Sequence, residues 1–171
     1  MSLGILSTHN DYKIFAPISG EEIHKWLPNA TILKYSELKN YNQLPSLPIV
    51  ILYEIKQNFG HWTTVLRTPE GIEFFDSYGY APDKELDFVP KEFKDKSDQN
   101  NKRLLHLLYN SEENINYNPH RLQGKLAATC GRWVILRNLF NFFTVDQFSR
   151  VIQKTSKQLN ISPDELVSLV V

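Results

Sequence analysis

The stretch from Leu47 to Ile55, "LPIVILYEI", constrains this chain most. It is a β-branched run bounded by prolines, and it reads as a buried strand. A buried strand needs partners on both edges, so the chain must build a sheet around it. "GHWTTVLR" and "GIEFFDSYGY" follow and read as two more strands, joined through "TPEG", a tight-turn sequence. "ENINYN" reads as a further short strand. Helices are expected on either side. "SGEEIHKWLP" carries a capping box, Ser19 with Glu22, and Pro28 stops it. "YSELKNY" suggests another helical turn, and "NNKRLLHLLYN" an amphipathic helix. The polar, Pro-containing "PDKELDFVPKEFKDKSDQ" reads as a surface loop. Cys130 to Phe143 is apolar nearly all round and reads as a central helix buried on most sides. Thr144 to Gln158 is amphipathic, with Thr144 and Gln147 as its capping box. Ser162, with Pro163 at the first helical position, starts a last helix. The expected class is α+β, a central, mostly antiparallel sheet flanked by helices.

The 171 residues suit one domain spanning 1–171. The formal net charge is zero, which gives no global pull toward nucleic acid or membrane. One cysteine excludes an internal disulfide framework and a Cys-cluster metal site, and fits a reducing compartment. "MSLGILSTHNDYKIF" has no basic region followed by a long apolar run, and no stretch nears the ~18 apolar residues of a membrane span. The expectation is an intracellular protein.

That lone cysteine, Cys130, follows the small residues of "LAAT" and precedes the apolar helix. A helix N-terminus stabilises a thiolate through unpaired N–H groups and the dipole. Thr129 is placed to cap the helix, and Ala127 and Ala128 leave room for a substrate backbone. A small buried hydrophobe is the plain alternative for Cys130. A nucleophilic Cys needs a base, and the base an orienting group. Of the five histidines, His24 and His106 fall on amphipathic helices, His9 in a terminal segment and His120 in a loop. His61 opens a strand after Gly60. With "TPEG" as the turn, Arg67 pairs near Ile72, Val65 near Phe74 and Thr63 near Asp76. Strand side chains alternate, so His61, Thr63 and Asp76 share a face, and Asp76 is one diagonal step from His61. A carboxylate there fixes the imidazole tautomer and favours its charged form. A one-residue slip would turn Asp76 away, leaving Glu73 or Asp83 as the acid. The Cys130 N–H and the amide of Gln123, seven residues upstream, are candidate oxyanion donors.

His61-Trp62, then "FFDSYG" with Asp76, then "LQGKLAATCG" with Gln123 and Cys130, stand in that order along the chain. The series resembles the adenain-like cysteine proteases, the adenovirus-type maturation proteases, which share a clan with the proteases of ubiquitin-like modifiers. The resemblance covers roughly Ile49 to Phe143. Thr129 stands where the closest family versions have Ala directly before Cys, and the acid is Asp rather than Glu. The resemblance implies a thiol endopeptidase with a papain-like fold in permuted order. Cys130 is then the nucleophile, His61 the base, Asp76 its orienting acid and Gln123 an oxyanion donor, with Trp62 beside the site. No cofactor or metal is implied. Family members commonly cut after small residues, often Gly.

The compact chain and "FFDSYGYAPD" look closer to the viral branch, whose polypeptide substrates are capsid or core precursors. Such a protein works in the host cytoplasm and is packaged in the virion. Adenovirus relatives use DNA as a cofactor; DNA or a peptide activator stays open as a partner, though zero net charge gives DNA binding no support here. A basic group, His120, Arg121, Lys125, Arg132 and Arg137, surrounds the site segment and reads as a solvated or substrate-facing patch. A protease of ubiquitin or a ubiquitin-like modifier is the alternative within the clan. A scaffold that has lost activity is the alternative outside enzymes.

Overall fold

The sheet has five strands in the order β1-β2-β3-β4-β5: β1 Thr31–Lys34, β2 Ile49–Lys56, β3 Phe59–Thr68, β4 Gly71–Phe75 and β5 Ile115–Tyr117. The structure is a computed structural model that describes residues 16–171; His9 and the opening segment lie outside the described residues. The helices are α1 Gly20–Trp26, α2 Lys91–Lys96, α3 Arg103–Asn110, α4 Cys130–Leu139, α5 Val145–Leu159 and α6 Pro163–Val170. Short 3-10 turns span Tyr35–Asn40 and Lys84–Phe88. The class is α+β, as the sequence implies. The centre of the sheet, β2-β3-β4, is antiparallel, and a parallel strand closes each edge. The edge strand β1 lacks a sequence signal: "TILK" is only four residues long, and tertiary pairing with β2 makes it a strand.

The apolar run that opened the argument is β2, and its first six residues are buried. Both faces of the sheet are covered, which is why this strand does not alternate. Ile49, Ile51, Val65, Ile72 and Phe74 face a core completed by Leu104, Leu107 and Leu108 of α3. Leu66 and Phe75 point the other way, toward Trp133 and Leu136 of α4, Phe148 of α5 and Val167 of α6. Val50 packs with Val134 and Ile135 against Ile23 of α1. Helix α4 is thus buried on nearly every side, as its composition demands. It ends at Leu139, short of Phe143, because Arg137 donates to the carbonyls of Phe140 and Phe143 and so terminates the run.

The capping boxes at Ser19, Thr144 and Ser162 all form. "TPEG" makes the hairpin turn, with Arg67 opposite Ile72, Val65 opposite Phe74 and Thr64 opposite Phe75. Strand β4 stops at Phe75, and "DSYG" is a turn closed by Gly79 N–H to the Asp76 carbonyl at 2.9 Å. The stretch after it is not the surface loop its polarity suggests. Leu86 and Val89, three residues apart, seat one helical turn on the core, and Asp83 and Glu85 are buried with them. Among the described residues no helix is long and apolar enough to cross a membrane.

Candidate active site

His61 lies near the start of β3, and Asp76 directly follows β4. The hairpin register brings them to one face, and Asp76 Oδ1 lies 3.0 Å from His61 Nε2. A carboxylate only accepts, so Nε2 carries the proton and donates it to Asp76. Asp76 Oδ1 also accepts from the Tyr78 backbone N–H at 2.7 Å, which fixes the carboxylate. Gly60 is needed for this placement: a Cβ there would lie 1.8 Å from the Tyr53 carbonyl oxygen across the β2–β3 pair.

Cys130 is the first residue of α4 and is 7 % exposed. With Nε2 turned to Asp76, Nδ1 is the nitrogen left to face Cys130, which lines the same cleft. Burial drags the imidazole pKa down. The charge and hydrogen bond of Asp76, and then the thiol, outweigh burial and hold it well above the ordinary histidine value. His61, Cys130, Trp62, Gln123, Ala127 and Ala128 line one cleft of about 770 Å³. Trp62 forms its wall and donates Nε1–H to the Ile18 carbonyl at 3.2 Å.

Gln123 enters the same cleft, 2 % exposed. Its Oε1 accepts from Ser77 Oγ at 2.6 Å, so the amide has one orientation. Its Nε2 donates to the Ala127 carbonyl and, at 3.3 Å, to the Tyr78 hydroxyl. The second bond is the longer of the two. Thr129 stands at the N-cap position of α4, but its side chain makes no cap. It donates instead to Asp164 Oδ1 of α6 at 2.5 Å. Asp164 also accepts from Trp133 Nε1 at 3.1 Å and from the Gly124 N–H at 2.7 Å. One buried carboxylate thereby ties α6 to both ends of the segment that leads into Cys130. The first-turn N–H groups of α4 are left without the Thr129 hydroxyl and face the cleft end of the helix.

The remaining candidates are occupied elsewhere. Glu73 bonds Arg137, and Asp83 accepts from Tyr53 Oη at 3.0 Å and Leu105 N–H at 2.9 Å. His24 and His106 are exposed, and His120 lies 2.6 Å from Asp146. The basic group does not form one patch. Arg137 is fully buried, Arg132 donates to the Val171 carbonyl, and Arg121 covers the Tyr78 ring at 5.6 Å.

No family model matches the sequence. A protein of Sputnik virophage, "Uncharacterized protein V9", is 32% identical over 162 residues, which cover 90% of this chain and 93% of the virophage protein. The chain belongs to the V9 family.

Two residues of this V9-family site lie outside the candidates read from the sequence. The Tyr78 ring stacks on His61, with centroids 4.8 Å apart and planes 18° off parallel, and so holds the imidazole flat against the cleft wall. Glu85 lies behind His61, its Oε1 3.9 Å from Nε2, and arrives from the segment that reads as a surface loop. His61, Asp76 and Glu85 place one potential ligand atom each within 4.8 Å of one another. In the tautomer that donates to Asp76, Nε2 has no lone pair to offer a cation. Tyr78 follows two residues after Asp76 in "DSYG", and a Tyr in a turn beside a candidate acid is the one hint the sequence offered.

Proposed function

We propose that this V9-family chain is a cysteine endopeptidase of adenain-like type. The observation that carries the proposal is the Asp76–His61–Cys130 series: a thiol at the start of a buried helix, an imidazole beside it, and a buried carboxylate 3.0 Å from the far ring nitrogen. Each group has the chemistry its position needs. The fixed His61 tautomer presents Nδ1 to the thiol. The raised imidazole pKa favours a thiolate–imidazolium pair. The thiolate attacks a scissile carbonyl, and the Cys130 N–H with the Gln123 amide stabilises the oxyanion. Protonated His61 then gives its proton to the leaving amine, and water cleaves the thioester with His61 as base. Substrates are polypeptides cut after small residues such as Gly. Kinship with a virophage protein favours capsid or core precursors, cut during assembly in host cytoplasm or particle.

The test is labelling with a Gly-ended peptide vinyl sulfone on wild type and on His61→Ala. Wild type should react at least a hundredfold faster than a free thiol, and His61→Ala should lose that excess. Equal rates in the two proteins would sink the assignment. Gln123→Ala should lower peptide turnover roughly a hundredfold while sparing the labelling rate far more, because an oxyanion donor acts on the tetrahedral intermediate. Steady-state kinetics check this, and an unchanged kcat removes Gln123 from the site.

A further inference from the structure

Behind His61, two carboxyl groups face each other with unsatisfied oxygens. Asp76 is fully buried; Oδ1 has both of its partners, and Oδ2 has none. Glu85 is 7 % exposed, and its Oε1 is likewise buried without a partner. Carboxylate oxygens of the two groups lie within 4.8 Å of each other, and two ionised carboxylates that close repel by about 3 kcal/mol or more even at an effective dielectric constant near 20. A buried acceptor without a donor is costly in its own right. One proton between the two groups removes both problems.

The chain is built to present Glu85 at this point. The turn Lys84–Phe88 follows Asp83, whose backbone is left-handed at φ 66°. Asp is one of the few non-glycine residues that tolerate that conformation. Here the Asp83 carboxylate is held by Tyr53 Oη and the Leu105 N–H, and Leu86 and Val89 are sunk in the core. These anchors hold the backbone that carries Glu85 and keep its carboxyl buried beside His61. The groups that face it are His61 from β3, Asp76 from the end of β4, and Tyr78 from the following turn. Its neighbour Lys84 is turned away to Asp87, 2.6 Å from its Nζ.

We propose that Glu85 is a positioning residue of this site, a neutral carboxylic acid that donates to Asp76 Oδ2 and keeps a single negative charge behind His61. The proposal rests on the cysteine-protease reading and extends it with a fourth member. Burial pushes the Glu85 carboxyl up to about 7; His61 opposes the rise and Asp76 adds to it. Below that pH the proton holds Asp76 in place by both oxygens. Above it, Glu85 ionises and a second negative charge appears 3.9 Å from Nε2. The imidazolium is then held more tightly. It becomes a poorer acid toward the leaving amine, and less of it is neutral to act as base in thioester hydrolysis. Turnover of an amide should fall as pH rises through about 7, whereas alkylation of the thiolate should not.

Two measurements test this. The first is the carboxyl ¹³C shift of Glu85 across pH in Cys130→Ala protein, assigned by comparison with Glu85→Gln. A midpoint near 7 is expected; a midpoint near the ordinary 4.5 overturns the proposal, whether or not the protein cleaves peptides. The second is the pH profile of kcat. Glu85→Ala, which orphans Asp76 Oδ2, should lower kcat at pH 6 about tenfold. Glu85→Gln, which keeps a donor and cannot ionise, should recover part of that loss and lack the fall above pH 7. A Glu85→Gln profile that still falls as wild type does overturns the role given to Glu85. Glu85 titrating near 7 in a wild-type protein that cleaves no peptide overturns the protease reading and leaves the shared proton standing.

Discussion

Cys130→Ala is expected to abolish peptide cleavage and leave the fold in place, with unfolding lowered by no more than about 3 °C. The substitution deletes a single heavy atom, Sγ, at the cleft end of α4, where the Ala127 and Ala128 segment is only half-buried. The void opens into the cleft, so the cavity cost is about 1 kcal/mol or less, which is roughly 3 °C for a domain of this size. Chemically the loss is complete, because no other thiol exists in the chain. Peptide turnover and a thermal melt on the same preparation check both halves. Residual cleavage above one part in a thousand of wild type would move the chemistry off Cys130. A collapse of the melt would make Cys130 a packing residue, which is the plain alternative for a buried thiol.

Arg137→Leu carries the largest expected cost in stability, 3–5 kcal/mol or roughly 10 °C. Arg137 is fully buried and pairs bidentately with Glu73, Nε to Oε1 at 2.8 Å and Nη2 to Oε2 at 2.7 Å. It also satisfies two carbonyls at the end of α4 and lies 5.1 Å above the Phe148 ring. Removing the guanidinium leaves a carboxylate uncompensated in the core. Glu73→Leu should cost a similar amount for the mirror reason. The double variant Glu73→Leu/Arg137→Leu should be less destabilised than the sum of the singles, because no orphan charge remains. Urea melts of the four proteins measure the coupling, and additive losses would show that the two side chains stabilise the fold independently. The pair matters to the site as well as to the fold. Glu73 lies on β4 three residues before Asp76, which directly follows that strand, and Arg137 is seven residues after Cys130 on α4. Their fork therefore fixes the strand that carries the acid against the helix that carries the thiol.

The hairpin was legible because its signals are local. A two-residue turn sets the register, and a period of two then decides which side chains share a face, so His61 and Asp76 meet without help from distant residues. Helix starts at Ser19 and Thr144 were legible for the same reason, a cap and its reciprocal partner three residues apart, and the start at Ser162 from the Pro163 beside it. Thr129 shows where locality ends. It has the residue type and position of a cap, yet Asp164, thirty-five residues on, offers its hydroxyl a charged partner inside the core. Charged acceptors make the stronger hydrogen bonds, and the cap is forgone.

The sequence by itself determined the sheet's buried centre, the hairpin register, and a lone thiol opening an apolar helix, because periodicity and turn chemistry act within a few residues. Tertiary structure alone decided that Glu85 and Tyr78 join His61, and that Arg137 leaves the surface for Glu73. A polar or charged residue reads as solvent-exposed until a partner from elsewhere in the chain meets it. Burial of such a group is stable only with that partner, and nothing nearby in the sequence announces which one will come.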